Sequence, residues 1–111
     1  MDIIIVGGGK VGSSLAQILC DEHNITVIDL DENRIQTIIN ESEVKGIVGN
    51  CLQTAVLNEA DVDKCNIFIA LTDSDEVNIL SCLIAKKKNA RHCIARVRNP
   101  EFDKQLVFMR E

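Results

Sequence analysis

The chain has 111 residues, 46% hydrophobic and 26% charged, with a formal net charge of −5 at pH 7. That length supports one domain burying roughly two thirds of the surface of its unfolded chain, and it excludes a complete enzyme of two lobes about a cleft. An acidic balance with 3% aromatic residues, no Trp and no Tyr removes the phosphate attraction and the stacking platforms of nucleic-acid readers, so nucleic acid is set aside as a partner.

In chain order, Ile3 to Val6 form a continuous β-branched run, the pattern of a parallel strand covered on both faces. Val11, Leu15, Ile18 and Leu19 then recur at i, i+4, i+7 and i+8 and predict a helix of about three turns with one apolar stripe, ending near Asp21. Ile25 to Asp29 reads as the second strand. Asp31 can cap a second helix whose buried side is Ile35, Ile38 and Ile39, and Val44 to Val48 is a third strand weakened by Lys45 and Gly46. Thr54 to Ala60 is a short helix and Asn66 to Leu71 the fourth strand.

Asp73 with Glu76 three positions on resembles a capping box opening a helix through Val77, Leu80, Ile84 and Ala85, with Ser74 the other candidate cap. Lys86, Lys87, Lys88 and Arg91 gather where that helix ends, and they are read as complementing its C-terminal dipole rather than as a partner-binding patch. His92 to Val97 is a fifth strand, and Pro100 opens a last helix. Strands and helices alternating in this way predict an α/β fold: a single domain over residues 1–111 with a Rossmann-type doubly wound parallel sheet. The usual sixth strand is not found, so the domain is expected to be truncated at its C-terminus. The apolar stretch of Phe102, Leu106, Val107, Phe108 and Met109 is then expected to need a partner subunit or downstream sequence to cover it.

The apolar runs are short and core-like residues begin at once, so neither a secretory leader nor a membrane span is expected and the protein is read as cytoplasmic. Five cysteines, an odd number with no C-x-x-C pair, read as buried thiols of a reducing compartment. His23 and His92 lie far apart with no ligand-spaced neighbours, and no structural metal site is expected.

The informative segment is Gly7-Gly8-Gly9-Lys10-Val11-Gly12, a G-x-G-x-x-G placed directly after the first strand and opening the first helix. Gly7 allows the sharp turn, Gly9 lets main chain approach a pyrophosphate, and Gly12 lets helix and strand pack closely. The helix N-terminus then offers free N–H groups and a positive dipole end to phosphates. Twenty residues after Gly9 comes Asp29, ending the second strand, where a carboxylate can accept from both ribose hydroxyls. That charge favours NAD(H) or an adenine nucleotide over NADP, whose 2′-phosphate it repels. Lys10 either contacts phosphate or points into water. Asp31 and Arg34 come within reach of the adenosine if the second helix starts where expected, and Arg34 is equally an ordinary surface residue.

Four stretches together resemble a known family: Asp2 to Gly12, Val27-Ile-Asp-Leu-Asp31 with Arg34, Ala70-Leu-Thr-Asp-Ser-Asp-Glu-Val-Asn78, and Ile94-Ala-Arg-Val-Arg-Asn-Pro100. They are similar to the N-terminal nucleotide-binding domain of the Trk and Ktr potassium-uptake regulators, the KTN or RCK domain, over essentially the whole chain. The resemblance implies a regulatory protein, not an enzyme, that binds NAD(H) or ATP/ADP. It also implies assembly as a homodimer or larger ring, docked at the inner face of the cell membrane under a potassium-translocating membrane protein that it gates.

Carried onto this sequence, the resemblance places Gly7, Gly9, Lys10 and Val11 at the pyrophosphate and Asp29 and Leu30 at the ribose. Thr72 and Asp73 go to the far side of the phosphates. The family usually has Gly-Asp-Ala/Gly-Thr/Ser beside the adenine, where this chain has Gly49-Asn50-Cys51-Leu52, so the base contacts of Asn50, Cys51 and Leu52 depart from the pattern. Arg98 either reaches a phosphate or a second subunit, or forms a surface ion pair. Two rival readings share the glycine loop. One is an NAD-dependent oxidoreductase fragment, which here lacks a second domain and a placed general acid. The other is an S-adenosylmethionine-binding methyltransferase domain, against which Gly12 speaks.

Overall fold

The run Ile3-Ile-Ile-Val6 has no polar face because the strand it forms, β1 (Asp2–Val6), is the middle strand of the sheet and is covered on both sides. A computed structural model describes residues 1–101 of the chain. After β1 come α1 (Lys10–Leu19), β2 (Asn24–Asp29), α2 (Glu32–Glu41), β3 (Lys45–Val48) and α3 (Thr54–Glu59). A single 3-10 turn at Val62–Lys64 follows, then β4 (Ile67–Ala70), α4 (Asp75–Lys87) and β5 (His92–Ala95).

All strand pairings are parallel and the order is β3-β2-β1-β4-β5. The chain therefore winds outward from β1 to β3, returns to the centre and winds the other way. Alternate side chains of β1 serve different layers: Ile3 and Ile5 pack with Ala16 of α1 and with Ile35 and Ile38 of α2. Ile4 and Val6 pack on the other face with Leu57 of α3, Val62, Phe68 and Ala85 of α4. This is the doubly wound Rossmann-type sheet, and its reversal lies between β1 and β4, where the carboxyl ends of the strands part to leave a crevice.

Several helix faces differ from the apolar periodicity. In α1 the inward residues are Gly12 and Ala16, flanked by Leu15 and Leu19, whereas Val11 and Ile18 are exposed, Ile18 by 73%. Close approach to β1 explains this: a Cβ at Gly12 would overlap the Gly7 carbonyl oxygen, so the helix turns its two smallest residues toward the sheet. In α4 the buried residues are Asn78, Ser81 and Ala85, and Leu80 points out. Ile39 of α2 is also exposed, although its end lies over Gly46. The fifth strand stops at Ala95 rather than Val97, and Ile94 is exposed because β5 is a sheet edge. The helix expected after Pro100 and the apolar stretch from Phe102 to Met109 fall largely or wholly outside the described residues.

All five cysteines are free thiols; Cys51 and Cys65 are buried, while Cys20, Cys82 and Cys93 are half-buried. Burial, reinforced by the neighbouring Cys93, pushes Cys65 up to about 11 and Cys82 up to about 12. Both thiols stay protonated at neutral pH and are poor nucleophiles. In native protein at pH 7.5, iodoacetamide is expected to leave Cys65 and Cys82 unmodified over a period in which both react fully in 8 M urea, as read by peptide mass spectrometry.

Gly12→Ala tests the close approach of α1 to β1. The added methyl has no room and should cost about 1–3 kcal/mol, seen as a lower midpoint of urea unfolding with an unchanged slope.

Candidate nucleotide-binding site

The carboxyl ends of the strands open on a cleft of about 550 Å³. Gly7 leaves β1 at φ +106°, a left-handed backbone favouring glycine, and a Cβ there would stand 2.8 Å from the Leu71 carbonyl oxygen. Gly9, the residue before α1, needs its lack of side chain for a different reason: nothing but the Arg34 guanidinium, 3.8 Å from an added Cβ, lies near, so the wall is bare main chain. The first helical bond runs from Ser13 N–H to the Gly9 carbonyl at 2.9 Å. The N–H groups of Lys10, Val11 and Gly12 therefore have no intrahelical partner, and the first turn carries no acidic residue. That helix end is free to receive an anion.

Asp29 holds the loop in place from the tip of β2. Its side chain is only 9% exposed; Oδ2 accepts from Gly8 N–H at 2.6 Å and Oδ1 from Asp31 N–H at 2.7 Å, with Arg34 Nη1 3.8 Å from Oδ2. An ionised carboxylate has about four lone-pair directions, so these two bonds leave capacity for hydroxyl donors from the cleft, which Asp29 lines. Next along the rim, Gly49 N–H donates to the Asp29 carbonyl at 2.9 Å, and Asn50 Oδ1 accepts from Leu52 N–H at 2.9 Å. Burial pushes the Cys51 thiol up, opposed by a hydrogen bond with Ser81.

Of the residues singled out in the sequence, Gly7, Gly9, Lys10, Val11, Gly12, Asp29, Leu30 and Arg34 line this one cleft, as do Asn50, Cys51, Leu52, Thr72, Asp73 and Arg98. Asp31 does not. Its carboxylate turns away to cap α2, accepting from Asn33 N–H at 2.8 Å and Arg34 N–H at 3.4 Å.

The β4–α4 loop departs further from the sequence reading. The cap of α4 is Ser74, which accepts from Val77 N–H at 3.2 Å, and not Asp73, whose carboxylate is 89% exposed and 3.5 Å from Arg98 Nη2. Asp73 lies outside the capping register because the loop runs one residue longer. Thr72 lines the cleft, but its hydroxyl is taken by Asn78, donating to Oδ1 at 2.6 Å while Thr72 N–H donates to the same oxygen at 2.8 Å. Asn78 is 0% exposed, and its Nδ2 donates to the carbonyls of Thr72 at 3.0 Å and Arg96 at 2.9 Å.

Two residues of this wall were not anticipated. Arg96 lines the cleft and its Nη2 donates to the carbonyls of Leu71 at 2.8 Å and Thr72 at 2.9 Å. The signal for both is their place in the stretches that carry the family resemblance, Asn78 closing Ala70–Asn78 and Arg96 within Ile94–Pro100; neither has a hydrophobic or spacing pattern that marks it as a site residue. Asp75 completes the lacing by accepting from Arg98 N–H at 3.1 Å and Asn99 N–H at 2.9 Å.

The TrkA-N domain family matches residues 3–109. The chain belongs to that family. It is 42% identical over 108 residues to a Trk system potassium uptake protein TrkA homolog of Archaeoglobus fulgidus, covering 96% of this chain and 24% of that protein. To a TrkA homolog of Methanothermobacter thermautotrophicus it is 36% identical over 104 residues, 93% of this chain and 48% of that protein. This TrkA-N domain thus spans about a quarter to a half of the length of the curated relatives it matches.

Among solved structures, the NAD(P)-binding domain of an exopolyphosphatase-related protein from Archaeoglobus fulgidus superposes with a TM-score of 0.83 at 15% identity, covering 96% of this chain and 80% of that one. The Kef CTD of Shewanella denitrificans in an AMP-bound form does so at 0.80 and 16%, covering 96% and 65%. These likenesses establish the fold of the TrkA-N domain and nothing finer. Among its described residues no helix is long and apolar enough to cross a membrane.

The Asp75 carboxyl is held below the usual carboxylate range, first by the backbone N–H groups of Arg98 and Asn99. A lowered folded value means that its hold on residues 98–99 is complete above the ordinary aspartate value of about 3.9 and is lost as pH falls through the lower folded value. Amide protection factors of Arg98 and Asn99 should therefore drop below about pH 4, and Asp75→Ala should show the same low protection already at pH 7.

Proposed function

We propose that this TrkA-N domain binds an adenine nucleotide, either NAD(H) or ATP/ADP, as the regulatory part of a potassium-uptake system. The observation that carries the reading is the pairing of the unpartnered N–H groups of α1 with the nearly buried carboxylate of Asp29 on the adjoining strand tip. A diphosphate lies against the first and its ribose hydroxyls donate to the second. Relatives named as TrkA potassium-uptake proteins support the regulatory role. In this reading Gly7, Gly9, Lys10, Val11 and Gly12 surround the diphosphate and Asp29, Leu30 and Arg34 the adenosine sugar. Asn50, Cys51 and Leu52 border the base, with Thr72, Asp73, Arg96 and Arg98 toward the distal half.

No reaction is catalysed. A ligand shifts a conformational equilibrium only by its differential affinity for two states, and the wall of the cleft offers the means. The loop from Leu71 to Asp75 is tied by Asn78, Arg96 and Asp75 itself to residues 96–99, so a ligand engaging that loop also bears on the chain leaving β5. The domain acts in the cytoplasm as a homodimer or larger ring, gating a potassium-translocating membrane protein at the inner face of the cell membrane.

Calorimetric titration with NADH, NAD, ATP, ADP, NADPH and S-adenosylmethionine tests the ligand class. At least one of the first four should bind, NADPH more weakly than NADH. Asp29→Ala should weaken the bound nucleotide about tenfold or more, with the circular dichroism of the fold retained. Binding by S-adenosylmethionine alone, or no response to Asp29→Ala, contradicts the reading.

A further inference from the structure

The strand order fixes how a nucleotide lies along the cleft. With the diphosphate on the glycine loop beyond β1 and the sugar at Asp29 beyond β2, the base extends over the end of β3, where Gly49 to Leu52 form the wall. This placement rests on the nucleotide reading above.

At that wall both oxygens of Asn50 already accept from the protein's own backbone. Asn50 Oδ1 takes Leu52 N–H at 2.9 Å, and the Asn50 carbonyl takes Gln53 N–H at 3.0 Å. The bond from Leu52 also settles which limb of the amide is which: Oδ1 is turned to the protein's own backbone, and Nδ2 has no hydrogen-bond partner among the described residues. Arg34, half-exposed, also lines the cleft and is likewise only a donor. The free limb of the Asn50 side chain is therefore a donor.

Purines differ in what they ask of such a wall. Guanine and hypoxanthine present two adjacent acceptors, N7 and the 6-oxygen, whereas adenine presents N7 beside a 6-amino donor. We infer that the base end of this cleft does not select adenine: Asn50, held by Leu52, presents an amide N–H donor that accommodates 6-oxopurine nucleotides at least as well as adenine nucleotides.

The test compares ADP with IDP, which differ at the purine 6-position and the N1 proton it carries, by calorimetry on the wild-type protein and on Asn50→Asp. The aspartate keeps an acceptor for Leu52 N–H and replaces the free donor by an acceptor. Its added charge weakens both ligands alike, so the ratio of the two dissociation constants is the readout. For the wild type IDP should bind as tightly as ADP or tighter. In Asn50→Asp the ratio should move about tenfold toward ADP, the scale of one well-made base contact. Tighter binding of ADP than IDP by the wild type, or an unchanged ratio in Asn50→Asp, overturns the inference and leaves the nucleotide site standing. Binding of neither compound overturns the inference, and the nucleotide reading falls with it only if NADH, NAD and ATP fail to bind as well.

Discussion

The structure depends on how closely α1 approaches β1. Gly12 sits against the Gly7 carbonyl with no space for a methyl group, and Gly7 in turn lies against the backbone of Leu71. Three segments, the end of β1, the start of α1 and the end of β4, are thereby brought within main-chain distance of one another. Only glycine permits that contact, and the contact is what leaves the first-turn N–H groups of α1 facing open cleft rather than side chains.

Asp29 makes this arrangement persistent. A carboxylate at the tip of β2 that accepts from Gly8 and Asp31 both pins the glycine loop and sets the start of α2. Removing it costs a loop anchor, so any loss of affinity in Asp29→Ala has a structural part under the function proposed above. On the opposite wall the anchors are an amide and a guanidinium: the buried amide of Asn78 satisfies Thr72 and the Arg96 carbonyl at once, and Arg96 returns two bonds to the carbonyls of Leu71 and Thr72. One wall is thus a carboxylate-centred clasp, and the other is a hydrogen-bonded strap running on to Asn99.

Much of this was readable from residue order. The strand sequence, the glycine loop and Asp29 are signals that act locally, through β-branched runs, turn chemistry and a fixed spacing, and the parallel order follows from their alternation. What escaped was set by tertiary contact. The inward face of α1 is chosen by Gly12 and Ala16 because backbone proximity outranks the burial of Val11 and Ile18. In α4, Asn78 and Ser81 replace Leu80 on the inner face because the β4–α4 loop needs a buried hydrogen-bonding centre. Asp31 looked like a ligand group and is spent as a helix cap, while Arg96, hidden in an ordinary strand end, lines the cleft.

In the function proposed above, a nucleotide sits on the bare main chain at the start of α1 with Asp29 beside it. Two-dimensional amide NMR during titration with NADH reads that contact directly. The largest shifts should fall on Gly8, Gly9, Lys10, Val11 and Gly12, with a second group at Leu30 and at Asn50 to Leu52. Shifts confined to other surfaces, or a glycine loop that stays silent while NADH is bound, would contradict it.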